Sequence, residues 1–229
     1  MSTRRPVESL LLDLPNEEPW YELKFQLREL DADLDELLSR LQKQKTHLGR
    51  KEQATQLWSE LYELYILEDH DAEAHAPRAV QLAQSLLTLP PEHVPEWGDA
   101  ASAQRCDFEL PEEMLACESL SLAQSKLTDY LEGAIAHLSD AHQAIQHTLD
   151  ASGSVHAVLG HVLQHATHSQ QLLQGPARAH VQSAWRWSVP YWRLMDPEAA
   201  AAHDARVAKA ETELAAIEAE LDAEEPKKP

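Results

Sequence analysis

The stretch "WYELKFQLRELDADLDELLSRL", Trp20–Leu41, decides the fold class. Its leucines Leu23, Leu27, Leu30, Leu34, Leu37 and Leu41 recur in alternating steps of four and three. That spacing returns to one side of a helix every second turn, whereas a half-buried strand needs apolar residues at every second position. Charged residues fill the other faces, so the stretch reads as an amphipathic helix carrying a seam of about three heptads. Gly49 stands where a C-cap would end it.

The same spacing continues outward. Ala54, Leu57, Leu61, Leu64 and Glu68 mark a second helix starting near Arg50, and the short connection makes the two an antiparallel hairpin. "HAPRAVQLAQSLLTLPP" gives a third helix with Pro77 in its first turn and Pro90–Pro91 as its stop. Glu112 opens the longest helix, with Leu120, Leu127, Leu131, Ala134, Leu138, Ala141, Ile145 and Leu149 on one face. Ser152 or Ser154 caps the next helix, which Gly175–Pro176 stops, and the one after is kinked or broken near Pro190. Asp196–Pro197 starts a last helix with Val207, Ala210, Leu214, Ile217 and Leu221 at heptad spacing. There is no alternating β-branched run and no Asn-Gly hairpin turn, so the chain reads as all-α.

Five regions follow from these signals: an N-terminal tail (1–18), a helical hairpin plus short helix (19–89), a linker or long loop (90–111) holding four of the 13 prolines, a helical bundle region (112–195), and a C-terminal amphipathic helix and tail (196–229). With heptad seams at both ends, the last helix is expected to pack on the N-terminal helices as a coiled-coil-like hairpin. Ordinary core helices share that spacing over short lengths.

Thirty-nine acidic residues against 19 lysines and arginines leave a net charge of −20. Such a surface repels nucleic-acid phosphates and anionic lipid, and suits a basic protein partner. No run approaches the ~20 apolar residues of a membrane span. The "LLL" near the start is too short for a signal-peptide core, and the two cysteines, Cys106 and Cys117, make no disulfide framework. The expectation is a cytoplasmic protein. Gly-rich phosphate loops, Gly-x-Ser-x-Gly and His-Glu-x-x-His are all missing, so nothing points to an enzyme. Cys106, beside Arg105, reads as an incidental thiol.

Two features carry functional readings. The first is "GHVLQHATHSQQLL" from Gly160, which puts His161, His165 and His168 within a ~60° arc of one helix. Two imidazoles four residues apart can point at one divalent transition metal, and His142 on the preceding helix is the partner within reach; Glu68, Asp69, His70 and His75 are others. The stripe flanks the apolar face (Val155, Val158, Leu159, Val162, Ala166, Leu173) instead of occupying it, so a wet polar face is the competing reading. The pair "HVLQH" resembles the His-x-x-x-His pair on the final helix of the DinB-like family of four-helix metal-binding bundles. The resemblance covers about ten residues and implies a third histidine from an earlier helix, here His75. The polar motif that usually follows the pair is absent, and the heptad-rich ends are foreign to that bundle.

The second feature is a gap. Between Asp150 and Asp196 no acidic residue occurs, where the chain's average would place about eight in 45 positions. The window holds Arg178, Arg186, Arg193 and five histidines beside Trp185, Trp187, Tyr191 and Trp192. On a helical wheel Val181, Trp185, Trp192 and Met195 share a core face. Trp187, Tyr191 and His180 share another, expected to be exposed and, with Arg186 and Arg193, to bind a partner. A buried helix pair would shed carboxylates in the same way. The leading reading is a non-enzymatic acidic interaction protein (adaptor, assembly factor or small subunit of a larger complex), with homo-oligomers open to it and no cofactor. The alternatives are a metal-binding bundle using the His pair, and an acidic mimic or chaperone of nucleic-acid-binding proteins.

Overall fold

The computed structural model describes residues 18–66, 71–88 and 110–224. The N-terminal tail, Glu68–His70, Cys106 and most of the Pro-rich linker lie outside the described residues. Among those described, every regular element is helical, an all-α bundle with no strand. The helices are α1 (Glu18–His47), α2 (Ala54–Ile66), α3 (Asp71–Thr88), the short α4 (Glu112–Leu115), α5 (Leu120–Leu149), α6 (Val155–Leu172), α7 (Arg178–Met195) and α8 (Pro197–Glu224).

Two unbroken helices of 30 residues, α1 and α5, form one side of the bundle. They run antiparallel. Lys45 reaches Glu132 at 2.6 Å near one end, and Gln146 reaches Asp31 at 2.6 and 2.7 Å near the other. The opposite side is made of two interrupted columns, α2 with α3 and α6 with α7. These are antiparallel as well: Trp192 Nε1 donates to Thr55 Oγ1 at 2.9 Å, and Arg178 pairs with Glu73 at 2.9 Å. α1 lies along α3 and α5; α5 lies along α6 and α7; α3 packs on α6 and α2 on α7.

All six leucines of the α1 seam are buried, as are Ala54, Leu57, Leu61 and Leu64 on α2 and Leu127, Leu131, Ala134, Leu138, Ala141 and Ile145 on α5. They share one core cluster, so the described helices of the two regions, 19–89 and 112–195, are built around a common interior. Gly49 ends α1 with φ 81°, a left-handed conformation that costs glycine little. Gln44, the next seam position after Leu41, is fully buried, and neither atom of its amide has a partner among the described residues.

Several boundaries differ from expectation. The helix opened by Glu112 stops after one turn, and α5 begins only at Leu120, because the Ser119 hydroxyl accepts from the Leu122 amide at 3.3 Å and caps a new start. Of the two candidate serines, Ser154 caps α6, accepting from Ala157 at 3.3 Å. α3 begins at Asp71, so Pro77 lies inside it. Gly175–Pro176 does not stop the chain; Leu173–Ala177 forms a wide π-type turn that hands α6 on to α7, with Gly175 departing from helical geometry. α7 runs unbroken through Pro190.

The largest difference is α8. Asp196 caps it, accepting from the Ala199 amide at 3.2 Å, and Ala200 is buried. His203 meets the Trp58 and Trp192 rings edge-on, at 5.1 and 5.4 Å between centroids. From Asp204 to Ile217 every residue is exposed. The helix thus leaves the bundle and makes no coiled-coil hairpin with α1 and α2, whose apolar seams are already spent on α3, α5 and α7. Its own seam stays open, with Val207 41 %, Leu214 60 % and Ile217 57 % exposed. No described helix is long and apolar enough to cross a membrane.

Candidate functional site

The acid-free window is interior. Trp187 is 9 % exposed and Tyr191 0 %, and every residue from Trp187 to Trp192 is buried, which corrects the expectation of an exposed face. The reason lies in the packing. α7 is clasped by α5 on one flank and α2 on the other, so a wheel with one wet side does not describe it. Its aromatics form two stacks with α2: Trp58 on Trp192 (4.4 Å, 6° between planes) and Tyr65 on Trp185 (4.5 Å, 8°). The Tyr191 hydroxyl accepts from the Gly49 amide at 2.7 Å, tying the α1 turn to α7, and burial holds its pKa above the ordinary value.

The other members of the expected docking set are engaged within the molecule. Arg193 is exposed and grips Asp204 with both terminal nitrogens, each at 2.8 Å. That bidentate pair, chiefly through its hydrogen bonds, holds the Asp204 carboxyl below its usual pKa. His180 is half-buried, and its Nδ1 lies 2.7 Å from the Pro176 carbonyl. A carbonyl only accepts, so Nδ1 carries the proton. The His180 ring lies over Gly133, between Tyr130 and His137. Arg186 is half-exposed beside the buried run.

The histidine stripe takes a form the sequence only partly suggested. His161 and His165 lie nearly parallel on α6, 6.1 Å between centroids with 10° between planes. The histidine that joins them from α5 is His147, 6.5 Å from His165. His142, the expected partner, turns instead toward α1, its Nε2 3.2 Å from Asp31. α5 sits between α1 and α6, and His142 lies on the α1 flank. Partial burial, together with the positive charge that His161, His147 and His168 would add, pushes the His165 pKa down from 6.5. His75, the third histidine implied by the DinB-like resemblance, is engaged with Gln26 through Nδ1 and lies 3.9 Å from Asp33 through Nε2. Among the described residues no three His, Cys, Asp or Glu side chains are arranged to hold a metal ion.

What the expected site set left out is α8. Its seam was legible as a heptad, but its freedom was not: the α1 seam is equally regular and fully buried. Compared with protein-family models, curated proteins and solved structures, the chain matches none.

Proposed function

We propose that this protein is a non-enzymatic helical interaction protein, a bundle that holds out α8 as a docking arm. The observation that carries this reading is the open seam: Val207, Leu214 and Ile217 stand exposed on a helix anchored through its first two turns. Leaving large aliphatic side chains about half in water forgoes roughly 1 kcal/mol each, a cost that capping by a partner would recover. The root is built to position the arm, by the Asp196 cap, the Arg193–Asp204 pair and the fit of His203 against two indoles. The acidic surface favours basic partners over nucleic acid.

Removal of residues 205–229 tests the reading. The truncated chain is expected to melt within a few degrees of the full chain, because the seam contributes nothing to the core, and to lose partner capture. A collapse of the bundle would make α8 a structural element and end the proposal.

A second reading has one observation in its favour, the gathering of His147, His161 and His165 on a shared face of α5 and α6. Stoichiometric zinc, nickel or copper in untagged protein, lost on changing His161 and His165 to Ala, would promote it.

A further inference from the structure

We infer that the α8 seam takes a basic amphipathic helix of another protein. This rests on the docking function proposed above and adds the chemistry of the partner. The seam beyond the root, Val207–Ala210–Leu214–Ile217, is flanked by Arg206, Glu211 and Glu213, and the sequence sets Glu218 and Glu220 at the next flanking positions. Charges at such positions choose the partner and the direction of helix pairing.

A second copy of the chain meets those flanks badly. Side by side and parallel, Glu213 of one copy faces Glu218 of the other. Antiparallel, with Val207 against Ile217 and Ala210 against Leu214, Glu211 faces Glu211 and Glu213 faces Glu213. Arg206 alone finds an opposite charge in either arrangement. An antiparallel register shifted toward the N-terminus would need Ala200 and His203, which the bundle already holds. One shifted toward Leu221 sets Glu211 against Glu218 and Glu213 against Glu220. Each copy also brings a net charge of −20. A helix carrying Lys or Arg on its flanks meets opposite charge at all four glutamates. The Lys209–Glu213 pair, 3.6 Å apart and exposed, competes only weakly with it.

The experiment uses the full chain and two labelled synthetic helices of about four heptads with the same leucine seam. One carries Lys at every flanking position and the other Glu, and binding is read by fluorescence anisotropy. The Lys-flanked helix is expected to bind at least ~tenfold tighter and to weaken as salt rises from ~50 to ~500 mM. Leu214→Ser with Ile217→Ser should abolish binding and leave the melting temperature unchanged, since both side chains are exposed. Glu211→Lys with Glu213→Lys should shift the preference toward the Glu-flanked helix, which attraction to the bundle's overall charge would not do. Equal binding of both helices, or no shift in the charge-swapped variant, overturns the inference. Self-association abolished by the Leu214/Ile217 change, with neither helix bound, overturns the basic partner and leaves docking by α8 intact. A monomer that binds neither helix overturns both.

Discussion

Gly133 sits mid-way along α5, where alanine would ordinarily help. Gly→Ala in a helix interior contributes about 1 kcal/mol of stability through propensity alone. Here a Cβ would stand 2.1 Å from Cδ2 and 2.4 Å from Nε2 of His180, and 3.0 Å from its Cγ. The ring has to move, and moving it strains the Nδ1 hydrogen bond to Pro176, worth about 1 kcal/mol. Overpacking of this kind costs ~1–3 kcal/mol. Setting the two costs against the propensity gain, Gly133→Ala is expected to destabilise the protein by about 1–3 kcal/mol. With His180→Ala already in place, the same change should stabilise by up to about 1 kcal/mol. The sign reversal is the signature, a coupling of about 1–4 kcal/mol that reaches the upper end for touching residues. Urea unfolding of the four proteins in the cycle, followed by circular dichroism, measures it. If Gly133→Ala is neutral or stabilising in the parent, or equally harmful in both backgrounds, His180 does not pack into that gap.

Gln44→Leu should raise stability by about 1–3 kcal/mol, because an apolar side chain at that seam position removes a buried amide that has no partner among the described residues; a lower urea midpoint would count against it. Trp187→Ala should cost ~3–5 kcal/mol, as Trp185→Ala should, since both indoles are interior; a cost below ~0.5 kcal/mol, typical of an exposed site, would return Trp187 to the surface. Acidification should weaken the fold. His165 is held below 6.5 by burial and then by its neighbours His161, His147 and His168; His47 is lowered by burial and then by Lys43 and Arg50, against an opposing Glu60. The unfolded chain therefore binds more protons as pH falls through 6.5, and stability drops until the folded-state values are passed. His47→Gln with His165→Gln should flatten melting temperature between pH 7 and pH 5, and an unchanged slope would place the sensitivity elsewhere.

The helices themselves were legible because their apolar spacing is a local property. Leu23 to Leu41 and Leu127 to Ile145 announce both a helix and its buried side. What packs against that side is not local, and there the sequence misled three times. The α8 seam repeats the α1 pattern, yet one is covered and the other open, because covering depends on where the preceding helix delivers the chain. Trp187 and Tyr191 were placed on a wet face by a wheel that allowed α7 a single covered side. The signal that could have corrected this is the run Trp187–Trp192, six successive residues without a charge, longer than one helical turn and so necessarily covering all sides. His147 displaced His142 for a similar reason, since which flank of α5 faces α6 is settled by the position of α1.

The corner where α8 leaves the bundle has an optical consequence. His203 meets both rings of the stacked Trp58–Trp192 pair edge-on at the arm's root. The 20 residues beyond Asp204 reach about 30 Å at the helical rise, so a tilt of ~10° displaces the tip by about 5 Å. The same tilt shifts an imidazole against two indoles, and indole emission responds to such contacts. If α8 takes up a partner at its far end, the expected consequence is a change in tryptophan fluorescence at its root, readable without a label.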